Sequence, residues 1–212
     1  MPFPPAPWRL AGRAWIGLFR TDAPVFFPAG LRSLFGSRWL VLILARYLVG
    51  TLRYDELVVG PPVWCGRRIG VWVAGIWVDH EVSRRAGRCI WGLPKELAEF
   101  RWHGSGLRIC DQQGLVTALR LDQRRFGGCP VWVPGVGVGQ LDGQWACTTA
   151  RVCAYLGTTR LRVDEWSVRF PFRPRTNPVL AVAARSFRMT VPAPRLIHAS
   201  ASKEQPREDL QG

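Results

Sequence analysis

The chain has 212 residues, 48% of them hydrophobic, and a formal net charge of +14 from 29 basic and 15 acidic side chains. That length fits one domain with a real core, and no apolar run approaches the roughly 18–20 residues of a membrane-spanning helix. The opening Met1-Pro2-Phe3-Pro4-Pro5-Ala6-Pro7 lacks the charged and apolar regions of a signal peptide, so a cytoplasmic protein is expected.

Taken in chain order, the sequence reads mostly as strand. Residues 22–34 hold a possible short helix, and 39–45 are a strand-length apolar run ended by Arg46. Leu57-Val58-Val59-Gly60 runs into a Pro61-Pro62 break, and residues 71–78, β-branched and aromatic, read as one strand closed by Asp79. Ser83 is a candidate cap for a turn over 84–88, and Pro94 for the start of a turn over 95–98. Gln112-Gln113-Gly114 and Trp64-Cys65-Gly66-Arg67 read as turns, the former joining 106–111 and 115–121 into a hairpin. Alternation over 161–170 and a last strand over 179–189 complete the pattern. These elements predict a mainly β (α+β) fold with a few short helices, an antiparallel barrel or sandwich. The domain is expected over 1–198, with 199–212 a polar, disordered tail.

The arginines are spread along the whole chain. Their densest groups are the pairs Arg67-Arg68, Arg84-Arg85 and Arg124-Arg125, and no nucleic-acid motif accompanies them, so nucleic acid is not the expected partner. The cysteines Cys65, Cys89, Cys110, Cys129, Cys147 and Cys153 form no Cys-x-x-Cys pair and read as reduced, mostly buried thiols. Asp79-His80-Glu81 offers three ligand types in a row, which cannot all face one centre. No metal and no cofactor are expected. The spaced glycines of 134–139 lack the context of a phosphate loop and read as a turn.

Only two of the basic residues are lysines, Lys203 in the tail and Lys95 in the body. Arg is used wherever charge alone suffices, which marks Lys95 as a candidate for amine chemistry. A desolvated lysine loses its proton more readily and attacks a carbonyl to form a Schiff base. Glu56, opening a strand in Tyr54-Asp55-Glu56-Leu57, is a candidate to hold or polarise a substrate or to shuttle a proton, set against an ordinary exposed charge at a strand start.

The segment Gly87-Arg88-Cys89-Ile90-Trp91-Gly92-Leu93-Pro94-Lys95-Glu96-Leu97-Ala98 resembles the signature of the acetoacetate decarboxylase-like superfamily. Pro7-Trp8-Arg9-Leu10-Ala11-Gly12 is similar to its N-terminal opening, Tyr54-Asp55-Glu56-Leu57 to its Tyr-x-Glu segment, and Val78-Asp79 with Ser83 to its approach to the lysine. The likeness covers roughly residues 7–120. It implies a β-barrel or cone around a central cavity, a Schiff base on Lys95 with a β-keto acid, and Glu56 in the same pocket. Tyr54 and Trp91 are then candidate substrate contacts. Arg13 and Arg88 are candidates to hold a substrate carboxylate or to act structurally. The decarboxylase itself is a known case of a lysine activated by its surroundings.

Three positions differ from that pattern. Glu96 stands where the decarboxylase has a second lysine, Leu40-Val41-Leu42-Ile43-Leu44 stands where it has an upstream carboxylate, and Gly12 or Arg13 falls at its pocket arginine. The expected function is a Schiff-base-forming lyase on a small keto acid. A non-catalytic ligand binder and an aldolase-dehydratase of keto acids are the alternatives. Self-association into a homo-oligomer is implied by the family and by the many tryptophans.

Overall fold

The computed structural model describes residues 2–126 and 129–197, without the side chains of 123–126. The expected tail with Lys203 and the side chains of the Arg124-Arg125 pair lie outside the described residues. In chain order the first strands are β1 (Trp8–Arg20), β2 (Arg32–Ser33), β3 (Trp39–Gly50), β4 (Tyr54–Gly60), β5 (Pro62–Cys65), β6 (Arg68–Trp72) and β7 (Gly75–Val78). One helix, α1 (Glu81–Trp91), precedes β8 (Lys95–Leu97), β9 (Glu99–His103), β10 (Gly106–Asp111) and β11 (Gly114–Phe126). The last strands are β12 (Val131–Leu141), β13 (Gln144–Trp166), β14 (Leu180–Val191) and β15 (Arg195–Ile197).

The fold is mainly β, as expected, but the barrel is not closed. The strands join one 15-stranded sheet whose main path runs β2-β5-β6-β12-β13-β14-β1-β3-β4-β7-β8. Its ends are strands of 2 and 3 residues, β2 and β8, which do not pair with one another. Most pairings are antiparallel. The parallel pairs are β6 with β12 and β7 with β8. A parallel pair needs a crossover, and α1 is the crossover between β7 and β8.

Side-chain alternation along the strands separates two interiors. Leu40, Leu42 and Leu44 of β3 and Leu57 and Val59 of β4 join a large apolar cluster with Trp15, Phe19 and Trp77. The intervening Ile43, Ala45 and Tyr47, with Tyr54, Glu56 and Val58, face a cavity on the other side. The apolar stretch over 40–44 is therefore the inner face of a core for three of its five residues.

Several sequence expectations are corrected. Residues 71–78 are two strands, because Val73 and Ala74 change partners: Val73 N–H donates to Val138 and Ala74 N–H to Val59. Among the described residues α1 is the single helix; 22–34 contain none, and 95–97 are strand. Ser83 lies inside α1, whose N-cap is His80, with Nδ1 accepting from the Val82 N–H at 3.2 Å. The strand expected over 161–170 ends at Trp166, and β3 runs on past Arg46 to Gly50. The glycines of 134–139 lie within β12 rather than in a turn, and β15 follows the strand taken as last. Cys65 and Cys147 form a disulfide across a sequence separation of 82, contrary to the expectation of reduced thiols. They lie on β5 and β13, which the sheet order separates by β6 and β12, a placement that spacing does not show. Cys89 and Cys129 are exposed rather than buried.

Candidate active site

Lys95 reaches the cavity because β8 is a strand. Alternation turns Lys95 inward and Glu96 outward: Lys95 is 3% exposed, while Glu96 is exposed and pairs with Arg88. The acidic neighbour therefore does not share the cavity with the amine.

Several positions of the signature segment have a physical reason. Gly92, at φ 61° in the left-handed region, ends α1. Gly87 and Ser83 lie one turn apart on the helix face that meets Lys95. A Cβ at Gly87 would stand 2.4 Å from Lys95 Cδ and 2.6 Å from Cε, so only glycine leaves room for the lysine stem. Arg88 Nε donates to the Lys95 carbonyl at 2.7 Å, which holds β8 against α1. Trp91 packs edge-on to Trp8 with centroids 5.0 Å apart, and its Nε1 donates to the Pro192 carbonyl.

Lys95 Nζ donates to Glu56 Oε2 at 2.6 Å and to Ser83 Oγ at 3.0 Å. Tyr47 O–H donates to the other carboxylate oxygen, Glu56 Oε1, at 2.9 Å. Tyr47 and Tyr54 sit opposite one another in the β3–β4 register, with rings 4.5 Å apart, and Lys95 Nζ lies 5.1 Å from the Tyr54 centroid. Burial, reinforced by the Glu56 charge, pushes both phenols well above the usual tyrosine range, so both stay neutral. Next to Glu56, Asp55 faces the other way, accepting from Trp102 Nε1 at 2.6 Å and pairing with Arg46. Burial raises its pKa.

The cavity measures about 270 Å³ and is lined by Lys95, Glu56, Tyr47, Tyr54, Trp8, Trp91 and otherwise almost entirely aliphatic side chains. Of the residues singled out in the sequence, Lys95, Glu56, Tyr54 and Trp91 come together. Arg13 and Arg88 do not line it. Arg13 is exposed, at a register shift between Gly12 and Ala14, and Arg88 is taken up by the Lys95 carbonyl and Glu96. Neither is placed to hold a substrate carboxylate in this cavity.

Sequence reasoning missed Tyr47 and the contact made by Ser83. Tyr47 was signalled by its place on the cavity face of β3, two residues beyond Ala45. Ser83 was signalled by its four-residue spacing from Gly87. Asp79, His80 and Glu81 separate as expected: Asp79 accepts from the Asp55 N–H, His80 caps α1 and Glu81 pairs with Arg84. Among the described residues no group of three or more His, Cys, Asp or Glu is arranged to hold a metal, and no helix is long and apolar enough to cross a membrane.

Comparison with solved structures places the fold. Acetoacetate decarboxylase from Legionella pneumophila superposes with a TM-score of 0.66 at 17% identity, covering 93% of this chain and 90% of that one. An acetoacetate decarboxylase-like enzyme from Sphingomonas wittichii RW1 gives 0.65 at 13% identity, covering 92% and 94%. The enduracididine biosynthesis enzyme MppR, complexed with pyruvate, gives 0.64 at 14% identity, covering 94% and 93%. No curated protein matches in sequence. The family model for acetoacetate decarboxylase (ADC) matches residues 1–126, a span that includes Glu56, α1 and Lys95. On that match, over more than half its length, the chain belongs to the acetoacetate decarboxylase family.

Proposed function

We propose that the protein is a Schiff-base-forming lyase acting on a keto acid, with Lys95 as nucleophile and Glu56 as its counterion and proton carrier. The observation that supports this most is the buried contact of 2.6 Å between Lys95 Nζ and Glu56 Oε2 at the wall of an apolar cavity.

The pair suits imine chemistry. Glu56 takes a proton from the ammonium, the free amine adds to the substrate carbonyl, and the proton returns to the departing oxygen as water leaves. The net step exchanges an ammonium and a carbonyl for an iminium and water. Positive charge is conserved, and Glu56 remains its counterion throughout. Tyr47, neutral and donating to Glu56, holds that carboxylate in place.

Loss of CO₂ from a β-keto acid follows naturally. The bond to the carboxylate breaks, its electron pair enters the iminium, and a neutral enamine results. Glu56, no longer facing a cation, takes up a proton from solvent and passes it to the enamine carbon, and water then hydrolyses the product iminium to release the ketone and the Lys95 amine. Apolar walls favour this course over reactions that retain the carboxylate, because a buried charge is costly unless paired. Departure of CO₂ removes one charge of each sign from the site.

The test is CO₂ release from a panel of β-keto acids by wild-type protein and Lys95→Arg. The proposal expects release by wild type, and none above the spontaneous rate by the variant. Binding without CO₂ release across the panel would overturn the lyase reading and leave a ligand-binding member of the fold.

A further inference from the structure

The signs and shapes around the amine restrict what it accepts. Among the described residues lining the cavity, Lys95 and Glu56 are the only charged side chains, and they neutralise one another. None of the described arginine side chains is there. Tyr47 and Tyr54 are neutral, and Thr148 is the remaining polar side chain. Any acid's carboxylate therefore finds one cation, the same Lys95 that must react with its carbonyl. A second carboxylate, or a hydroxyl-rich tail, finds no partner and is penalised for losing its water.

The rest of the wall is aliphatic and aromatic. Ile43, Val136, Val152, Leu156, Phe187 and Met189 line it. Room is made by Gly135, Gly137, Ala150, Ala154 and Ala184, strand positions where larger side chains would fill the space. A volume of about 270 Å³ comes close to the lower end of pockets that take drug-sized ligands, roughly 300–1,000 Å³. Acetoacetate occupies only part of that, and its remainder would be apolar surface left in contact with water.

We infer that the cavity selects a β-keto acid whose carbonyl carries an apolar chain or ring, in preference to compact keto acids such as acetoacetate or pyruvate. The inference deepens the lyase reading and rests on it for the imine. The selection itself rests on the wall. The acid's carboxylate lies toward Lys95 and leaves as CO₂, and the apolar substituent fills the space bounded by Val152, Leu156 and Phe187.

The experiment separates the two. Half-saturation is measured by quenching of tryptophan fluorescence, Trp8 and Trp91 being in the wall, for acetone, methyl propyl ketone and methyl pentyl ketone. These are stable and carry the reacting carbonyl without a carboxylate. Each buried methylene is expected to tighten binding about threefold to fourfold, on the order of a hundredfold across the series. Equal or weaker binding of the longer ketones would overturn the selection, whatever imine forms. Tightening along the series with no borohydride-trapped adduct on Lys95 from any ketone would leave the selection standing and sink the Schiff-base reading.

Discussion

Lys95 Nζ and Glu56 Oε2 lie 2.6 Å apart with both residues buried, 3% and 7% exposed, so neither charge has water to fall back on. Breaking such a pair from one side costs about 3–5 kcal/mol, because the remaining charge is stranded. Lys95→Met is therefore expected to destabilise the protein by about that amount. Lys95→Met with Glu56→Gln should recover most of it. Urea denaturation of the two single variants and the double variant checks this; a double variant no more stable than the singles would contradict it.

Gly87→Ala is expected to lower both activity and stability. An exposed glycine-to-alanine change within a helix gains up to about 1 kcal/mol. Here the new Cβ would stand 2.4 Å from Lys95 Cδ. Imine formation should fall at least about tenfold, as expected when a reacting group is displaced, and overpacking at this buried position should cost about 1–3 kcal/mol of stability. Unchanged trapping rates would show that the lysine stem does not need that space.

Glu96→Gln should leave imine formation within about twofold. Glu96 faces away from the cavity and its ion pair with Arg88 is exposed, where such pairs contribute about 0–1 kcal/mol. A large gain or loss in trapping rate would mean that Glu96 tunes the amine after all.

Tyr47 gives the molecule a pH dependence of definite sign. Its pKa is raised in the folded state, first by burial and then by the Glu56 charge. A group whose folded pKa is raised contributes stability that is full below its unfolded pKa, about 10 for tyrosine, and is lost as pH rises beyond it. Stability should thus fall more steeply with pH above about 10 in wild type than in Tyr47→Phe. The comparison is made by denaturation at successive pH values, and parallel profiles would contradict it.

Much of the site was legible because the chemistry sits on contiguous segments. Lys95, Trp91 and the glycines of α1 share one stretch, and Tyr54 and Glu56 share another. What was not legible depended on pairing between distant segments. Tyr47 belongs to the site because β3 lies antiparallel to β4, with Tyr47 opposite Tyr54. Pro94 marked a helix start by local preference, yet Lys95 became strand because β8 finds backbone partners along β7. Arg13 was sought in the pocket, but alternation along β1 turns Trp8, Leu10, Ala14 and Ile16 to the cavity and leaves Arg13 on the other side. The Cys65–Cys147 disulfide likewise joins β5 and β13, strands far apart in the chain. A mainly β fold was readable from alternation, whereas the order of the strands and the open edges at β2 and β8 were not.

The most direct measurement is borohydride reduction of the protein with a β-keto acid or methyl ketone, followed by trypsin and peptide mass analysis. Unmodified Lys95 is a cleavage site, and a reduced imine blocks it. The account predicts an uncut peptide from Cys89 to Arg101 carrying the mass of the reduced adduct, and its absence in Lys95→Arg. Cleavage after Lys95 in every digest, with no added mass across the whole set of carbonyl compounds, would contradict it.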